Sequence, residues 1–348
     1  KLISSEENRY IRKLIQLICR FITNFKVNGY GADEFSRMYH STSNERSRLF
    51  LNICNSCYLE YQRVLKENNL VDFEDMINES ARILREKKEQ KEKLDFKYII
   101  VDEYQDISRQ RFDLTTALAE VCDAKIIAVG DDWQSIYAFS GADVKLFTHF
   151  TEKMGYGKLL KIVKTYRNSQ EVIDIAGGFI QRNPAQIQKT LQSPKHIENP
   201  VVIYTYDGSR KKAEESNHTG ALYRMARGVE TALEQIRKYA ALENDGKIGN
   251  VLLLGRFGFD GDHLERSGLF EYQQKEEHFQ KGSRIRWVRH PERDITFMTA
   301  HASKGLGYDN VIVINGKNET YGFPAKVEDD PVLAFVIKGD RSIDYAEE

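Results

Sequence analysis

An α/β fold built on parallel sheets is the class this sequence predicts, and three observations predict it. Short apolar runs end abruptly in acidic residues, as buried parallel strands do. Two of them, residues 97–101 and 125–129, flank a helical stretch at 108–121. Strand, helix and strand thus follow within about 30 residues, the length of a βαβ unit, whose strand ends are where ligands sit. All six prolines, Pro184, Pro194, Pro200, Pro291, Pro324 and Pro331, fall in the second half, so the first half is free to form long uninterrupted helices.

Each element follows in order. Ile11, Leu14, Ile15, Ile18, Ile22 and Phe25 recur at helical spacing between charged flanks. Residues 45–68 and 72–93 also read as helices, the second ending in a mixed charge run that suits a solvated face. After the βαβ unit come a third apolar run at 159–163 and a helix at about 168–182. Further strands are expected at 201–206, 251–254, 285–288, 295–298 and 311–314, with a polar loop at 207–218 and a long helix at about 219–243. The 348 residues suit two or three domains.

Composition narrows the function classes. The chain is 41% hydrophobic and 30% charged, with material for sizeable cores. Its net charge is -1, so a phosphate-binding surface must be a local basic patch. No uncharged apolar run reaches the ~18 residues of a membrane span, and no secretory signal opens the chain. Four cysteines make no disulfide framework, which predicts a reducing, cytoplasmic setting.

The first strand runs directly into Asp102-Glu103-Tyr104-Gln105-Asp106. In nucleotide hydrolases one such carboxylate holds Mg²⁺, through water, and its neighbour polarises the water that attacks the γ-phosphate. Taken alone, two acids after a strand are also ordinary turn residues. The second strand, however, ends in Gly130-Asp131-Asp132-Trp133-Gln134-Ser135-Ile136-Tyr137. Gly permits a sharp turn, and Gln134 can report a phosphate oxygen by hydrogen bonding. Tyr137 and Phe139 alternate with Ala138, so in an extended segment both rings would project to one side and stack on bases. With 18 Phe and 18 Tyr in the chain, a place in the core is the other reading of either ring.

These residues resemble a known family, the UvrD/Rep-type superfamily 1 DNA helicases, in the variant of its helicase IV branch. The resemblance runs from about Asp72 onward. Asp102 to Asp106 is similar to the family's Walker B box, and residues 130–142 to its third motif, with Ser140 where most relatives carry Arg. Thr165-Tyr166-Arg167-Asn168-Ser169 is similar to the fourth motif. By that resemblance Tyr166 stacks on adenine and Arg167 reaches the γ-phosphate, where developing charge needs a permanently charged planar donor. Residues 296–306 resemble the fifth motif, with Thr299 and His301 on the DNA side and Lys304 and Gly305 nearer the nucleotide. Gly307 stands where many relatives place a ribose-contacting Glu, and Gly322-Phe323-Pro324 resembles a helicase IV segment.

The resemblance implies two RecA-like lobes with ATP and Mg²⁺ between them: Asp102, Glu103 and Gln134 on one side, Tyr166 and Arg167 on the other. It implies a helical accessory subdomain over 1–70, the rest of a first lobe over 71–163 and a second lobe over 164–348. The activity implied is ATP-driven 3′-to-5′ movement on single-stranded DNA and at its junctions with duplex, in the bacterial cytoplasm at the nucleoid. No Gly-x-x-x-x-Gly-Lys-Ser/Thr loop occurs: the Gly-Lys pairs at 157–158, 246–247 and 316–317 are never followed by Ser or Thr. The family's sixth motif and an initiator Met are missing too. The expectation is therefore a piece of a longer helicase, inactive as an ATPase by itself. The stretch 257–294 is too short for the domain that UvrD-type relatives insert there, which suits the helicase IV branch. A helicase-like subunit of a nuclease or recombination complex, or a DNA-binding module without a P-loop, are the alternatives.

Two local features stay open. Lys281, Arg284, Arg286, Arg289 and Arg293 surround Trp287, as a phosphate-contacting strand or as a strand with solvated arginines. Cys54 and Cys57 invite a zinc reading, but a structural site needs four ligands; two buried thiols on one helix face are the expectation.

Overall fold

A computed structural model describes residues 5–91, 94–208, 220–243, 248–274, 282–291 and 295–337. The chain divides into two compact units: Lys1–His196 with Asp329–Ala346, and Ile197–Glu328 with Glu347–Glu348.

Unit 1 opens with four helices, α1 (Ser5–Val27), α2 (Asp33–Ser41), α3 (Glu45–Glu67) and α4 (Phe73–Glu89). Side-chain caps set two of their starts: Asn44 accepts from Ser47 N at 3.1 Å, and Asp72 from Asp75 N at 2.8 Å. The apolar face of α1 delivers Phe21 and Phe25 to a core with Phe35, Met38, Phe50, Leu51 and Cys54, which Leu333 and Val336 complete. Phe25 stacks on Phe35 at 4.2 Å; burying a ring of that size is worth roughly 2–3 kcal/mol. Buried Lys26 pairs with Asp72 and, at 2.8 Å, with Asp75, tying the end of α1 to the start of α4. Cys54 is fully buried and burial pushes its thiol up to about 12, whereas Cys57 is exposed. The expected pair of buried thiols is thus a single one, because only the Cys54 side of α3 faces the core.

β1 (Tyr98–Val101), α5 (Arg109–Cys122) and β2 (Lys125–Ala128) form the expected βαβ unit, with β1 and β2 parallel in register Tyr98 to Lys125. Among the described residues the two strands pair only with each other, which leaves Tyr98, Ile100 and Ile127 exposed where full burial was expected. Short helices α6 (Lys145–Thr148) and α7 (Phe150–Met154) follow, then α8 (Gln170–Ile180). Residues 159–163 are not a strand, and Ile162 is 82% exposed. An apolar run becomes a strand only where a neighbour supplies its ladder.

Unit 2 carries α9 (Ala221–Glu243), β3 (Val251–Gly255), α10 (Phe259–Arg266), β4 (Phe270–Gln274), β5 (Ser283–Trp287), β6 (Ile295–Thr299) and β7 (Asn310–Val313). The sheet order is β4-β5-β6-β3-β7, with β3 parallel to β6 and β7 and the β4-β5-β6 edge antiparallel. β3 lies between β6 and β7 and is almost wholly buried, in a core of Met225, Val229, Leu253, Leu264, Phe270, Trp287 and Phe297. Residues 201–206 are not a strand, for the same want of a ladder partner, and β4 is an antiparallel strand its polar sequence hid.

Candidate functional site

Unit 1 gathers its acidic residues where β1 and β2 end. The ladder continues past both strands: Val129 N donates to Val101 O and Tyr104 N to Val129 O, each at 2.9 Å. Those bonds force the chain after β1 into a tight turn, with exposed Asp102 and Glu103 at its tip. Glu103 takes the left-handed conformation (φ 50°, ψ 40°), which costs a non-glycine residue energy. Asp102 Oδ1 accepts from Glu103 N at 2.9 Å.

Fully buried Gln105 joins the two strand ends. Its Nε2 donates to Glu103 Oε2 at 2.6 Å, and its Oε1 accepts from Asp131 N at 2.9 Å. A Cβ at Gly130 would stand 2.5 Å from Gln105 Oε1, so the close approach requires glycine there. Asp131 continues the network: its Oδ2 accepts from Gln134 Nε2 at 2.7 Å, and its Oδ1 pairs with Lys189. Burial works to raise the Asp131 carboxyl, but Lys189, Gln134 and Trp133 N together hold it below its ordinary value. Lys189 also reaches Asp132 Oδ1 at 3.0 Å, and its ammonium lies 4.5 Å from the centre of the Trp133 ring. Asp132 is buried, and its Oδ2 accepts from Ile187 N at 2.6 Å.

The segment around Lys189 then leads to the expected fourth motif. Gln192 N donates to Val163 O at 2.8 Å and Thr165 N to Gln192 O at 2.9 Å. Ser193 Oγ donates to Asn168 O at 2.7 Å, and Lys195 Nζ to Arg167 O at 3.4 Å. Residues 187–195 therefore run from the Asp131–Asp132 pair to the turn holding Tyr166 and Arg167. Tyr166 is 61% exposed, with the Lys164 ammonium 5.4 Å from its ring centre, and Arg167 is exposed.

Tyr137 and Phe139 are brought together, but not on an extended segment. Residues Ala138–Ser140 form a 3₁₀ turn closed by Gly141 (φ 88°), and the rings meet edge-on at 6.0 Å. A Cβ at Gly141 would lie 2.5 Å from Val27 Cγ1, so contact with α1 and the left-handed backbone both demand glycine. Phe139 is 42% exposed; Tyr137 is half-buried, its hydroxyl pKa raised by that burial and then by Asp106 and Glu103.

Thr299, His301, Lys304 and Gly305 lie together in unit 2, at the end of β6. Ala300 N donates to Gly255 O at 2.9 Å and Ser303 N to Thr299 O at 3.1 Å, wrapping the turn around the end of β3. Gly305 closes it at φ 80°. Arg256 Nη1 donates to His301 Nδ1 at 3.0 Å. The basic stretch near β5 is different in kind. Trp287 is buried and donates to Glu230 Oε1 at 2.7 Å, Arg286 pairs with Glu271, and Arg289 lies 3.6 Å from Glu234. Trp287 is thus a core residue, with paired arginines around it; Lys281 and Arg293 lie outside the described residues. Also among the described residues, no group of three His, Cys, Asp or Glu converges to hold a metal unaided.

Sequence reasoning missed Gln105 and Lys189. Gln105 stood inside the acidic string and could have been noticed, but its partner Asp131 is 26 positions away. Lys189 is one lysine in an irregular stretch, 58 positions from Asp131, and no local pattern marks it.

Residues 1–155 match the UvrD/REP helicase N-terminal domain, so the likeness starts well before Asp72. The chain is similar to DNA helicase IV of Escherichia coli K12, 30% identical over 328 residues, covering 92% of this chain and 40% of that protein. It is 31% identical over 203 residues to the ATP-dependent DNA helicase Rep of the same organism, 58% of this chain and 29% of Rep. Against the putative ATP-dependent DNA helicase YjcD of Bacillus subtilis it is 31% identical over 153 residues, 43% and 20% of the two chains. The chain spans well under half the length of these relatives.

Proposed function

We propose, for a chain whose residues 1–155 match the UvrD/REP helicase N-terminal domain, that the joined strand ends of unit 1 are the hydrolytic side of an ATP-driven DNA motor. The motor moves 3′ to 5′ on single-stranded DNA and opens duplex at its junctions, in the cytoplasm. The observation that carries this reading is the chain of bonds Glu103–Gln105–Asp131–Gln134, which links the residue suited to activate water with the residue suited to report the γ-phosphate.

Asp102, a single exposed carboxylate, suits Mg²⁺, which is held by one or two carboxylates together with substrate phosphates and water. Mg²⁺, when bound, neutralises charge on the phosphate oxygens. Glu103 orients and polarises the attacking water, its carboxylate held in place by Gln105 Nε2. Gln134 shares Asp131 with Lys189, so its amide is steadied for a phosphate oxygen. Tyr166 offers an exposed face to adenine and Arg167 a guanidinium to the γ-phosphoryl group. Lys304 and Gly305 serve the nucleotide, while Tyr137, Phe139, Thr299 and His301 contact DNA. Two RecA-like lobes, with the first ending near residue 163 after a helical subdomain over 1–70, belong to the same proposal.

Steady-state ATP turnover by the full-length protein, with and without oligothymidylate, tests it. Stimulation by single-stranded DNA and not by blunt duplex is expected; turnover indifferent to DNA would overturn the reading. The 348-residue chain alone, which contains no P-loop sequence, is expected to turn over no ATP.

A further inference from the structure

Where β3 ends, Arg256-Phe257-Gly258-Phe259 leads into α10, and three rings gather. Phe257 and Phe259 stack with centroids 5.0 Å apart and planes 9° apart. Tyr321, from the loop after β7, meets each of them edge-on at 5.9 Å. None of the three belongs to the core of unit 2, and Tyr321 is 60% exposed. Phe257 and Phe259 are half-buried, so the three rings form one patch that reaches solvent through Tyr321.

The patch is also held rigidly. Asp260 is completely buried; its Oδ2 accepts from Phe257 N at 2.9 Å, and its Oδ1 accepts from Asn315 Nδ2 at 3.1 Å. The same Asn315 amide donates to Tyr321 O at 3.0 Å, from a left-handed backbone at φ 58°. One buried carboxylate and one strained asparagine therefore fix the two chain segments that carry the rings. A cation borders the patch: the Arg256 guanidinium lies 5.7 Å from the Phe257 ring centre and donates to His301. Rings plus a guanidinium suit a polyanion with flat apolar groups, which is the chemistry of single-stranded nucleic acid.

We propose that Phe257, Phe259 and Tyr321 form a base-stacking platform for single-stranded DNA, with Arg256 meeting phosphate at its edge. The platform rests on the reading above that the protein works on DNA, and it extends the Thr299–His301 contact surface by a site with different chemistry. It selects for bases without selecting their sequence, because every base has a stackable face.

Fluorescence anisotropy on the 348-residue chain tests it, with labelled oligothymidylate and an abasic oligonucleotide of equal length as probes. Wild type is expected to prefer oligothymidylate. Tyr321→Ala is expected to weaken oligothymidylate binding by roughly 5- to 150-fold, the loss of one stacked base, with little change on the abasic probe, while Tyr321→Phe binds like wild type. Photo-crosslinking of wild type to 5-iodouracil-containing DNA should mark Phe257, Phe259 or Tyr321, a readout that needs no variant to fold. If wild type binds both probes equally, Tyr321→Ala binds oligothymidylate unchanged, or crosslinks fall only elsewhere, the platform is overturned and the DNA reading stands. If wild type binds neither probe, the DNA reading falls and the platform falls with it.

Discussion

Where β1 and β2 of unit 1 end, the chain presents carboxylates tied together by amides and a lysine; where β3 and β6 of unit 2 end, it presents three rings and an arginine–histidine pair. Both places are carboxyl ends of parallel strands, extended by a ladder bond and closed by a glycine-containing turn. The backbone solution is thus the same and the chemistry opposite. Parallel strands supply a rigid edge, and the side chains after the last ladder bond decide whether that edge suits a metal-bound phosphate or a base.

The networks beneath the two edges also differ, and that difference can be broken by mutation. Lys189 is the only cation described against Asp131 and Asp132, and with Asp132 it is largely buried. Lys189→Met is therefore expected to cost about 3–5 kcal/mol in urea unfolding, because it leaves the buried Asp132 carboxylate and its neighbour Asp131 without a counter-charge. A loss under ~1 kcal/mol would mean the pair is solvated in practice and steadies nothing. The counterpart in unit 2 is Asp260, which accepts neutral donors from Phe257 and Asn315. Asp260→Ala strands those donors and should cost about 1–3 kcal/mol, the smaller effect of the two.

Their pH responses should run in opposite directions. The folded Asp131 carboxyl sits below its ordinary value of 3.8, burial notwithstanding, through Lys189 and its other donors. The unfolded chain then holds more proton between the two values, so Asp131 adds stability above the ordinary value and loses it as pH falls through the folded one. Asp260 is raised above 3.8, chiefly by burial. Its contribution is full below the ordinary value and is lost as pH rises through the folded one. Unfolding midpoints measured between about pH 2 and 7 should show Lys189→Met flattening a rise below 3.8 and Asp260→Asn flattening a fall above it. Changes in slope of the same sign, each taken against wild type, would contradict the contrast.

Much of this was readable beforehand, and what escaped had one cause. β1 and β2 were legible because continuous apolar runs ending in Asp102 and Gly130 state both the strand and its end. The site acids were legible with them, since their position follows from the strand that precedes them. Residues 159–163 and 201–206 have the same apolar character but belong to no sheet among the described residues, the first meeting a neighbour only at its end, where Val163 O accepts from Gln192 N, and a sequence does not state who its neighbour is. Tyr137 and Phe139 were expected to project from an extended segment; Gly141 and the contact with Val27 turned that segment into a 3₁₀ turn. Lys189 acts through Asp131 and Asp132, and Asp260 reaches Asn315, each 55 or more positions away and beyond any local pattern. Phe257 and Phe259 did carry a local signal, two rings around a glycine directly after a strand.

The most direct measurement of the central claim is Glu103→Gln in the full-length protein, scored for both ATP turnover and affinity for oligothymidylate. The amide keeps the size of the side chain but cannot polarise water, so turnover should fall by roughly 10²- to 10⁴-fold while DNA affinity holds. Turnover within a few-fold of wild type would show that the strand end of unit 1 is not where ATP is hydrolysed.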